Sequence, residues 1–166
     1  NRKYKAAIIG CGQIGALYSK PAARNGVLTH AHAYRHEPRT QLVAMADRNQ
    51  VKASRAGRIW DVKAYHDTAA MLKDERPDII SICVPDEAHA DVLEMCLRFR
   101  PKAVLCEKPL TTDLRRAKTI AAAYAKAGVV LAVNISRRWN ETIIRLRADI
   151  RKGAFGTFLN AQGVYT

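Results

Sequence analysis

The sequence predicts a doubly wound α/β fold, in which helices cover both faces of a parallel sheet. Short apolar runs alternate with helical segments of about ten residues along most of the chain. Several of these runs are apolar throughout, which is typical of strands that are buried on both faces. Strand–helix alternation of this kind produces parallel strands joined by crossover helices.

Six strands are predicted, over residues 4–9, 41–46, 63–65, 79–84, 103–106 and 129–133. Helices are predicted over residues 49–58, 68–74, 90–99, 113–126 and 141–152. Asp67 or Thr68 is the expected cap of the second of these helices, and Gly128 and Gly153 are stop signals. Residues 1–134 therefore contain the whole predicted sheet.

A further strand pattern begins at Gly156 and continues to Thr166. We interpret residues 135–166 as a linker helix and the first strand of an incomplete second α/β domain. A protein that is naturally short is the alternative. A strand without a neighbour would leave an unpaired sheet edge.

The composition indicates a globular protein. The chain has 166 residues, of which 48% are hydrophobic and 26% charged, so wholesale disorder is not expected. No apolar stretch is long enough to cross a membrane. The basic N-terminus turns apolar but the run stops at Gly10 without a cleavage site, so we expect no signal peptide and a cytoplasmic location.

The net charge of +13 is unevenly distributed. Residues 1–97 carry a net charge of +3, whereas residues 98–166 carry +10. This asymmetry indicates an anionic ligand, an anionic polymer or an acidic partner surface. A basic nucleic-acid-binding domain is therefore an alternative, although no recognised nucleic-acid motif accompanies the basic segment 137–152.

The cysteine and histidine spacings do not favour a metal site. The four cysteines include no C-x-x-C pair and fall mainly in apolar runs, so we expect packed, reduced thiols. His32 and His36 are four residues apart, but neither a fourth ligand nor a carboxylate pattern accompanies them. We expect these histidines on a helix near a ligand or in solvent.

The segment 10–15 has the pattern G-x-G-x-x-G directly after the first predicted strand. In that context the pattern is the dinucleotide-binding fingerprint of Rossmann folds. Gly10 permits the tight turn, Gly12 lets the pyrophosphate approach the backbone, and Gly15 allows close helix–strand packing. A helix that begins here would present free N–H groups to the phosphates. A glycine-rich turn without a ligand is the alternative.

Asp47 ends the second predicted strand, where a carboxylate can accept hydrogen bonds from the adenosine ribose. Its distance from the fingerprint is longer than usual, and we assign the extra length to a loop over residues 20–29. A carboxylate here repels a 2′-phosphate and favours NAD. The adjacent Arg48 leaves NADP possible. Asp47 could also cap the next helix.

Glu107, Lys108 and Pro109 follow a predicted buried strand, so they lie at the carboxyl edge of the sheet, where α/β folds bind ligands. Lysine supplies a mobile cation and a proton donor. Pro109 fixes the turn and is a candidate for a cis peptide bond. A solvated salt-bridged turn is the alternative.

Together these motifs resemble the Gfo/Idh/MocA family of NAD(P)-dependent oxidoreductases. The resemblance covers essentially the whole chain, and Glu-Lys-Pro is its most specific element. In order, the matching segments are GCGQIG at 10–15, Asp47, SICVPDEAH at 81–89, EKP at 107–109 and SRRWN at 136–140. Residues 152–156 resemble the stretch that enters the family's second domain.

The resemblance implies a catalytic role for Lys108 in positioning and proton transfer. It implies that cofactor-binding residues include Gly10, Gly12, Gln13, Ile14, Gly15, Asp47, Arg48, Pro85, His89, Glu107, Lys108, Pro109, Asn134 and Arg138. Gln13 and Ile14 would line the pyrophosphate, and Glu107 would lie near the nicotinamide ribose. The Asp…His pair that family members commonly carry in the second domain has no counterpart in this sequence.

The expected reaction is hydride transfer between a nicotinamide cofactor and a secondary hydroxyl or carbonyl of a sugar, cyclitol or sugar derivative. We expect no metal, no nucleic-acid partner and no membrane association, with a homo-oligomer possible for the whole protein. A non-catalytic module that senses NAD(H) is the alternative from another functional class.

Overall fold

The computed structural model describes residues 2–23, 26–157, 159–160 and 162–164. These residues form a six-stranded sheet in which every strand pairing is parallel. The strands are Tyr4–Ile9 (β1), Thr40–Ala46 (β2), Lys63–Tyr65 (β3), Ile79–Ile82 (β4), Ala103–Glu107 (β5) and Val130–Asn134 (β6). Their spatial order, β3-β2-β1-β4-β5-β6, is that of the doubly wound Rossmann sheet.

Six α-helices accompany the sheet within the described residues. They are His30–His36 (α1), Gln50–Trp60 (α2), Thr68–Glu75 (α3), His89–Arg98 (α4), Leu114–Ala127 (α5) and Glu141–Arg151 (α6). A π-helical turn spans Gln13–Leu17, and 3-10 turns span Asp86–Ala88 and Ser136–Trp139.

Short polar side chains begin several of these helices, as the sequence predicts. Asp67 caps α3 by accepting from the N–H groups of Ala69 and Ala70. Asp113 caps α5 in the same way, and Gly128 ends that helix at a φ of 68°. These caps satisfy backbone groups that a helix end leaves unpaired, so they fix where each helix begins and ends.

Two apolar clusters cover the two faces of the sheet, because neighbouring residues of each strand point to opposite sides. In one cluster, Ile9 packs with residues of α3, α4 and α5, including Leu93 and Tyr124. In the other cluster, Ile8 packs with residues of α1 and α2, including Trp60. The predicted doubly wound fold is therefore confirmed.

The four cysteines are free thiols, as expected. Cys11, Cys96 and Cys106 are buried, and Cys83 is half-buried. Burial raises the pKa of the Cys96 and Cys106 thiols to about 12 in each case. These thiols are therefore protonated packing groups.

The chain divides into two compact units, residues 1–134 and 135–166. The second unit contains the 3-10 turn at Ser136–Trp139 and α6, which Asn140 caps. The strand predicted at 156–166 is wrong for the described residues of that segment, which form no strand. A strand requires a neighbouring strand for its backbone hydrogen bonds, and the described residues of this unit supply only helical turns. Phe158, Ala161, Tyr165 and Thr166 lie outside the described residues.

No helix formed by the described residues combines the length and the apolar character that a bilayer crossing requires.

Candidate functional site

The glycine loop follows β1 at the carboxyl edge of the sheet, and two of its glycines have no room for a side chain. Gly10 has a φ of 99°, and a Cβ atom there would overlap the backbone carbonyl of Cys83. A Cβ atom on Gly15 would overlap the carbonyl oxygen of Gly10. These contacts match the tight turn and close packing that the fingerprint predicts.

Gly12 differs from the other two glycines of the loop. Its φ of −77° is open to any residue, and a Cβ atom there would meet nothing within 4 Å. A side chain at Gly12 would therefore occupy open space in front of the loop. The loop thus fits the predicted dinucleotide, since its pyrophosphate needs that space to reach the backbone.

The helix that the fingerprint predicts is much shorter than a regular Rossmann helix. It is a five-residue π-helical turn, in which the N–H of Leu17 donates to the Gly12 carbonyl over 3.0 Å. Pro21 lies just beyond, and the residue before a proline is disfavoured in the helical conformation, so the helix cannot continue. A turn of this length contributes few aligned peptide dipoles, so phosphate binding here depends mainly on the N–H groups of the loop backbone.

Two side chains predicted to contact the pyrophosphate lie on this turn. Gln13 and Ile14 are both exposed, and Ile14 retains 48% of its accessible surface. Their predicted roles remain predictions.

The described residues of the predicted loop, 20–23 and 26–29, form neither helix nor strand, as expected. Arg24 and Asn25 lie outside the described residues. The hydroxyls of Ser19 and Thr29 are buried and 2.9 Å apart, so a hydrogen bond closes the loop at its base. Thr29 also caps α1 and brings that helix beside the sheet edge.

Asp47 directly follows β2 and reaches the glycine loop. Its Oδ2 atom accepts a hydrogen bond of 2.8 Å from the backbone N–H of Cys11, and its Oδ1 atom accepts one of 2.8 Å from Asn49. Asn49, rather than Asp47, provides the side-chain cap of α2. The alternative role predicted for Asp47 is therefore wrong. Arg48 is exposed beside it.

His89 is completely buried and joins the loops that follow β4 and β5. Its Nδ1 atom lies 2.6 Å from the carbonyl oxygen of Pro109, and its Nε2 atom lies 3.0 Å from that of Val84. Because His89 has no exposed surface, it holds these two loops together, and its predicted role in cofactor binding remains a prediction. Pro85 is exposed and precedes the 3-10 turn at Asp86–Ala88.

Glu107 is the last residue of β5 and is held by donors from two other elements. Its Oε1 atom accepts a hydrogen bond of 2.6 Å from Nδ2 of Asn134, its register partner on β6. The same oxygen lies 2.8 Å from Nε2 of His30 on α1. Burial favours a higher pKa for Glu107, but these hydrogen bonds outweigh it and the pKa lies below its ordinary value.

The hydrogen bonding continues from His30 to two further polar side chains, those of Ser81 and Tyr34. The Nδ1 atom of His30 is 2.9 Å from the Oγ atom of Ser81, which is 2.7 Å from the hydroxyl of Tyr34. Ser81 is completely buried, and burial raises the pKa of Tyr34 to about 12. The sequence did not indicate these partners of His30, because no spacing rule connects residues 30, 81 and 107.

Lys108 is exposed at the carboxyl edge, and its peptide bond to Pro109 is cis, as the sequence suggested. Lys108 therefore offers a mobile ammonium at the same sheet edge as the fixed carboxylate of Glu107. An ammonium can bind a hydroxyl-bearing ligand and exchange a proton with it. The predicted residues Gly10, Asp47, Glu107 and Asn134 follow the ends of parallel strands and therefore share this edge.

Arg138 belongs to the second unit, in the 3-10 turn Ser136–Trp139, where its N–H donates to the carbonyl of Ile135 over 2.9 Å. Its role in cofactor binding remains a prediction.

Known proteins resemble this chain in sequence. D-apiose dehydrogenase of Paraburkholderia graminis is 31% identical over 157 residues, which are 94% of this chain and 38% of that protein. Inositol 2-dehydrogenase of Rubrobacter xylanophilus is 24% identical over 94% of this chain and 42% of its own length. The chain thus spans about two fifths of the length of these relatives.

Solved structures resemble this chain in fold. The WlbA dehydrogenase of Bordetella pertussis, crystallised with NADH and UDP-GlcNAcA, superposes with a TM-score of 0.77. It is 26% identical, and the match covers 93% of this chain and 44% of that one.

Residues 4–135 match the Gfo/Idh/MocA family model, described as an oxidoreductase family with an NAD-binding Rossmann fold. Because that match covers most of the chain, the chain belongs to the Gfo/Idh/MocA oxidoreductase family and contains its NAD-binding Rossmann domain.

Proposed function

We propose that this chain is the cofactor-binding part of an NAD(P)-dependent oxidoreductase. The reaction is hydride transfer between nicotinamide and a secondary hydroxyl or carbonyl of a sugar, cyclitol or sugar derivative. The observation that carries the proposal is the shared sheet edge. There, the open loop at Gly12, the strand-end carboxylate of Asp47 and the Glu107–Lys108 pair lie together.

The phosphate end of the cofactor is assigned to the glycine loop. Gly10 and Gly15 set the backbone path, and the open space at Gly12 admits the pyrophosphate. Asp47 already holds the loop through Cys11, and its position at the end of β2 suits the adenosine ribose. A carboxylate at this point favours NAD over NADP, because it repels a 2′-phosphate.

The reactive end is assigned to the carboxyl ends of β5 and β6. When bound, the nicotinamide supplies or accepts the hydride, which the side chains of this chain cannot do. Lys108 holds a proton at the substrate oxygen, donating it to a carbonyl or receiving it from a hydroxyl. Glu107, the residue before it, stays ionised, and His89 fixes the backbone of Pro109, the residue after it.

The substrate class is supported by the relatives. One is a D-apiose dehydrogenase, another an inositol 2-dehydrogenase, and the WlbA dehydrogenase was crystallised in complex with NADH and UDP-GlcNAcA. Apiose, inositol and UDP-GlcNAcA all carry hydroxyl groups. At this sheet edge Lys108 offers a donor and Glu107 an acceptor to such hydroxyls.

Calorimetric titration of the 166-residue chain with NAD and NADP tests the proposal. We expect binding of NAD, with NADP weaker. Gly12→Val fills the space in front of the loop and should abolish binding. Gly163→Val is the matched control, because a Cβ atom there also meets nothing within 4 Å.

Absence of binding by both nucleotides at millimolar concentration would overturn the proposal. If the chain instead bound random duplex DNA in a salt-sensitive manner, the nucleic-acid alternative would replace it. Retention of NAD by Gly12→Val would show that the cofactor lies elsewhere.

A further inference from the structure

A continuous chain of hydrogen-bonding side chains extends from the sheet edge into the protein. It consists of Glu107, His30, Ser81 and Tyr34, joined by distances of 2.8, 2.9 and 2.7 Å. His30 is 7% exposed and Ser81 is completely buried. Groups so well shielded from water must satisfy one another, so their arrangement constrains their protons.

The directions of these bonds follow from the chemistry at one end. Glu107 is ionised, so it can only accept, and the Nε2 atom of His30 must donate to it. In the neutral ring, Nδ1 then accepts a hydrogen bond, and the Ser81 hydroxyl donates it. The Ser81 oxygen in turn accepts from the Tyr34 hydroxyl.

A serine–histidine–glutamate series also occurs in hydrolases, where the serine is a nucleophile. Ser81 does not fit that role. It lies within β4 between β1 and β5, has no accessible surface, and has both His30 and Tyr34 as hydrogen-bond partners. No substrate can reach its oxygen, so the series acts through the opposite end, at Glu107.

We propose that His30 is a positioning residue, which fixes the Glu107 carboxylate at the end of β5, while Ser81 and Tyr34 hold its imidazole in the Nε2–H form. The role of Glu107 toward a bound ligand rests on the proposed function. The arrangement of hydrogen bonds does not depend on that function. Without His30, Asn134 is the remaining side-chain donor to Glu107 among the described residues.

Two donors from separate elements hold a carboxylate more firmly than one. Asn134 approaches from β6 and His30 from α1, and both bonds end on the same oxygen. Loss of His30 frees the Glu107 side chain to rotate and removes a hydrogen bond that lowers the Glu107 pKa. A binding group that is no longer held in place loses much of its effect on a ligand.

The first test measures the tautomer of His30 directly, by nitrogen NMR of its ring in the chain without nucleotide. We expect a proton on Nε2 and a hydrogen-bonded, unprotonated Nδ1. Ser81→Ala should shift the Nδ1 signal, and Tyr34→Phe should shift it less. A neutral ring protonated on Nδ1 would overturn the proposal, whether or not the chain binds NAD.

The second test asks whether His30 acts through Glu107, using NADH affinity and a double-mutant cycle. His30→Ala should weaken binding about tenfold, and His30→Gln, which keeps an N–H donor, should restore most of the affinity. In a Glu107→Gln background, His30→Ala should have little further effect. His36→Ala, an exposed histidine on the same helix, is the control.

Additive losses in the cycle, or full affinity in His30→Ala, would overturn the positioning role while leaving the proposed function intact. If wild type binds no nucleotide, the proposed function fails and the NMR result decides the hydrogen-bond arrangement alone. If His30→Ala does not fold, as judged by circular dichroism, Tyr34→Phe replaces it in the cycle, and a loss of affinity that is unchanged in the Glu107→Gln background would overturn the positioning role.

Discussion

The Asp47 carboxylate ties the end of β2 to the glycine loop, because its Oδ2 atom accepts a hydrogen bond of 2.8 Å from the backbone N–H of Cys11. A second bond joins the loop to the same strand, since the N–H of Gly10 donates to the carbonyl of Ala46, the last residue of β2, over 2.8 Å. Asp47 therefore has two separable properties. Its oxygen positions the loop, and its negative charge is the property that we propose selects between NAD and NADP.

Substitutions at Asp47 should separate these properties. Asp47→Asn keeps an acceptor for Cys11 but removes the charge, so it should retain NAD binding and lose most of the preference over NADP. Asp47→Ala removes both and should weaken NAD binding by about tenfold or more. Calorimetric titration with both nucleotides measures this. An Asp47→Asn variant with unchanged preference would show that the charge does not select the cofactor.

Trp60 is hydrogen-bonded to the π-helical turn that follows the glycine loop. It is 1% exposed, and its indole N–H donates to the carbonyl of Ala16 in the π-helical turn over 2.8 Å. Trp60→Phe leaves that buried carbonyl unpaired and opens a small cavity, so it should lower the free energy of unfolding by roughly 2–4 kcal/mol. Urea unfolding measures the loss. Trp139→Phe, at a 71% exposed position, is the control and should change little.

Most of the fold could be predicted because its signals are local. Strands β1 and β3 begin and end at the predicted residues, and Asp67, Asp113 and Gly128 mark helix ends as expected. The helix after the glycine loop is present but only five residues long, and the strand predicted at 156–166 is wrong for the described residues. The first ends early ahead of Pro21, and the second depends on a neighbouring strand that local sequence cannot reveal.

The site was predictable only in part, for a related reason. Gly10, Asp47 and Glu107 were found because each follows an apolar run, and the ends of parallel strands share one edge. The contact between His30 and Glu107 joins residues 77 positions apart through a helix that follows an inserted loop. No periodicity or motif in the sequence indicates a contact between residues so far apart, because the contact forms only when the chain folds.

The thiols should resist modification in the folded protein. Burial, and secondarily the nearby Asp47, raises the pKa of Cys11 to about 12, and burial raises that of Cys96 to the same range. Since the thiolate is the reactive form, labelling near neutral pH should be very slow without denaturant and rapid with it. A thiol-labelling time course with mass spectrometry measures this. Rapid labelling of native Cys11 would contradict the expectation.

His32 is a buried polar side chain that is better replaced by an apolar one. Its exposure is 1%, and in the described part of the chain neither ring nitrogen finds a hydrogen-bond partner. It packs beside Trp60 at a ring-centroid distance of 6.0 Å. His32→Leu removes the unpaired groups and should stabilise the protein by about 1–3 kcal/mol in urea unfolding.

The exposed His66 provides the matched control for that variant. His66→Leu should change the free energy of unfolding by no more than about 0.5 kcal/mol. Destabilisation by His32→Leu, with His66→Leu neutral, would show that the imidazole has a polar partner such as a bound water.

Glu75 should link the stability of the fold to pH. Its Oε1 atom accepts hydrogen bonds of 2.7 Å from Lys63 and 2.7 Å from Tyr65, and its side chain is only 9% exposed. These hydrogen bonds lower its pKa below the ordinary value of 4.5, against the opposing effect of burial. The same contact, chiefly through the hydrogen bond to Glu75, raises the pKa of Tyr65 to about 12.

A carboxylate whose pKa is lower in the folded state contributes stability above its unfolded pKa, and that contribution is lost as pH falls through the folded pKa. Glu75→Gln should therefore destabilise the protein by about 1–3 kcal/mol near neutral pH and have a smaller effect well below pH 4.5. It should also lower the pKa of Tyr65, which ultraviolet titration measures. Glu87→Gln, at an exposed position, is the control and should change neither the free energy of unfolding nor the pKa of Tyr65. If Glu75→Gln lost the same free energy of unfolding at all pH values, Glu75 would not link stability to pH.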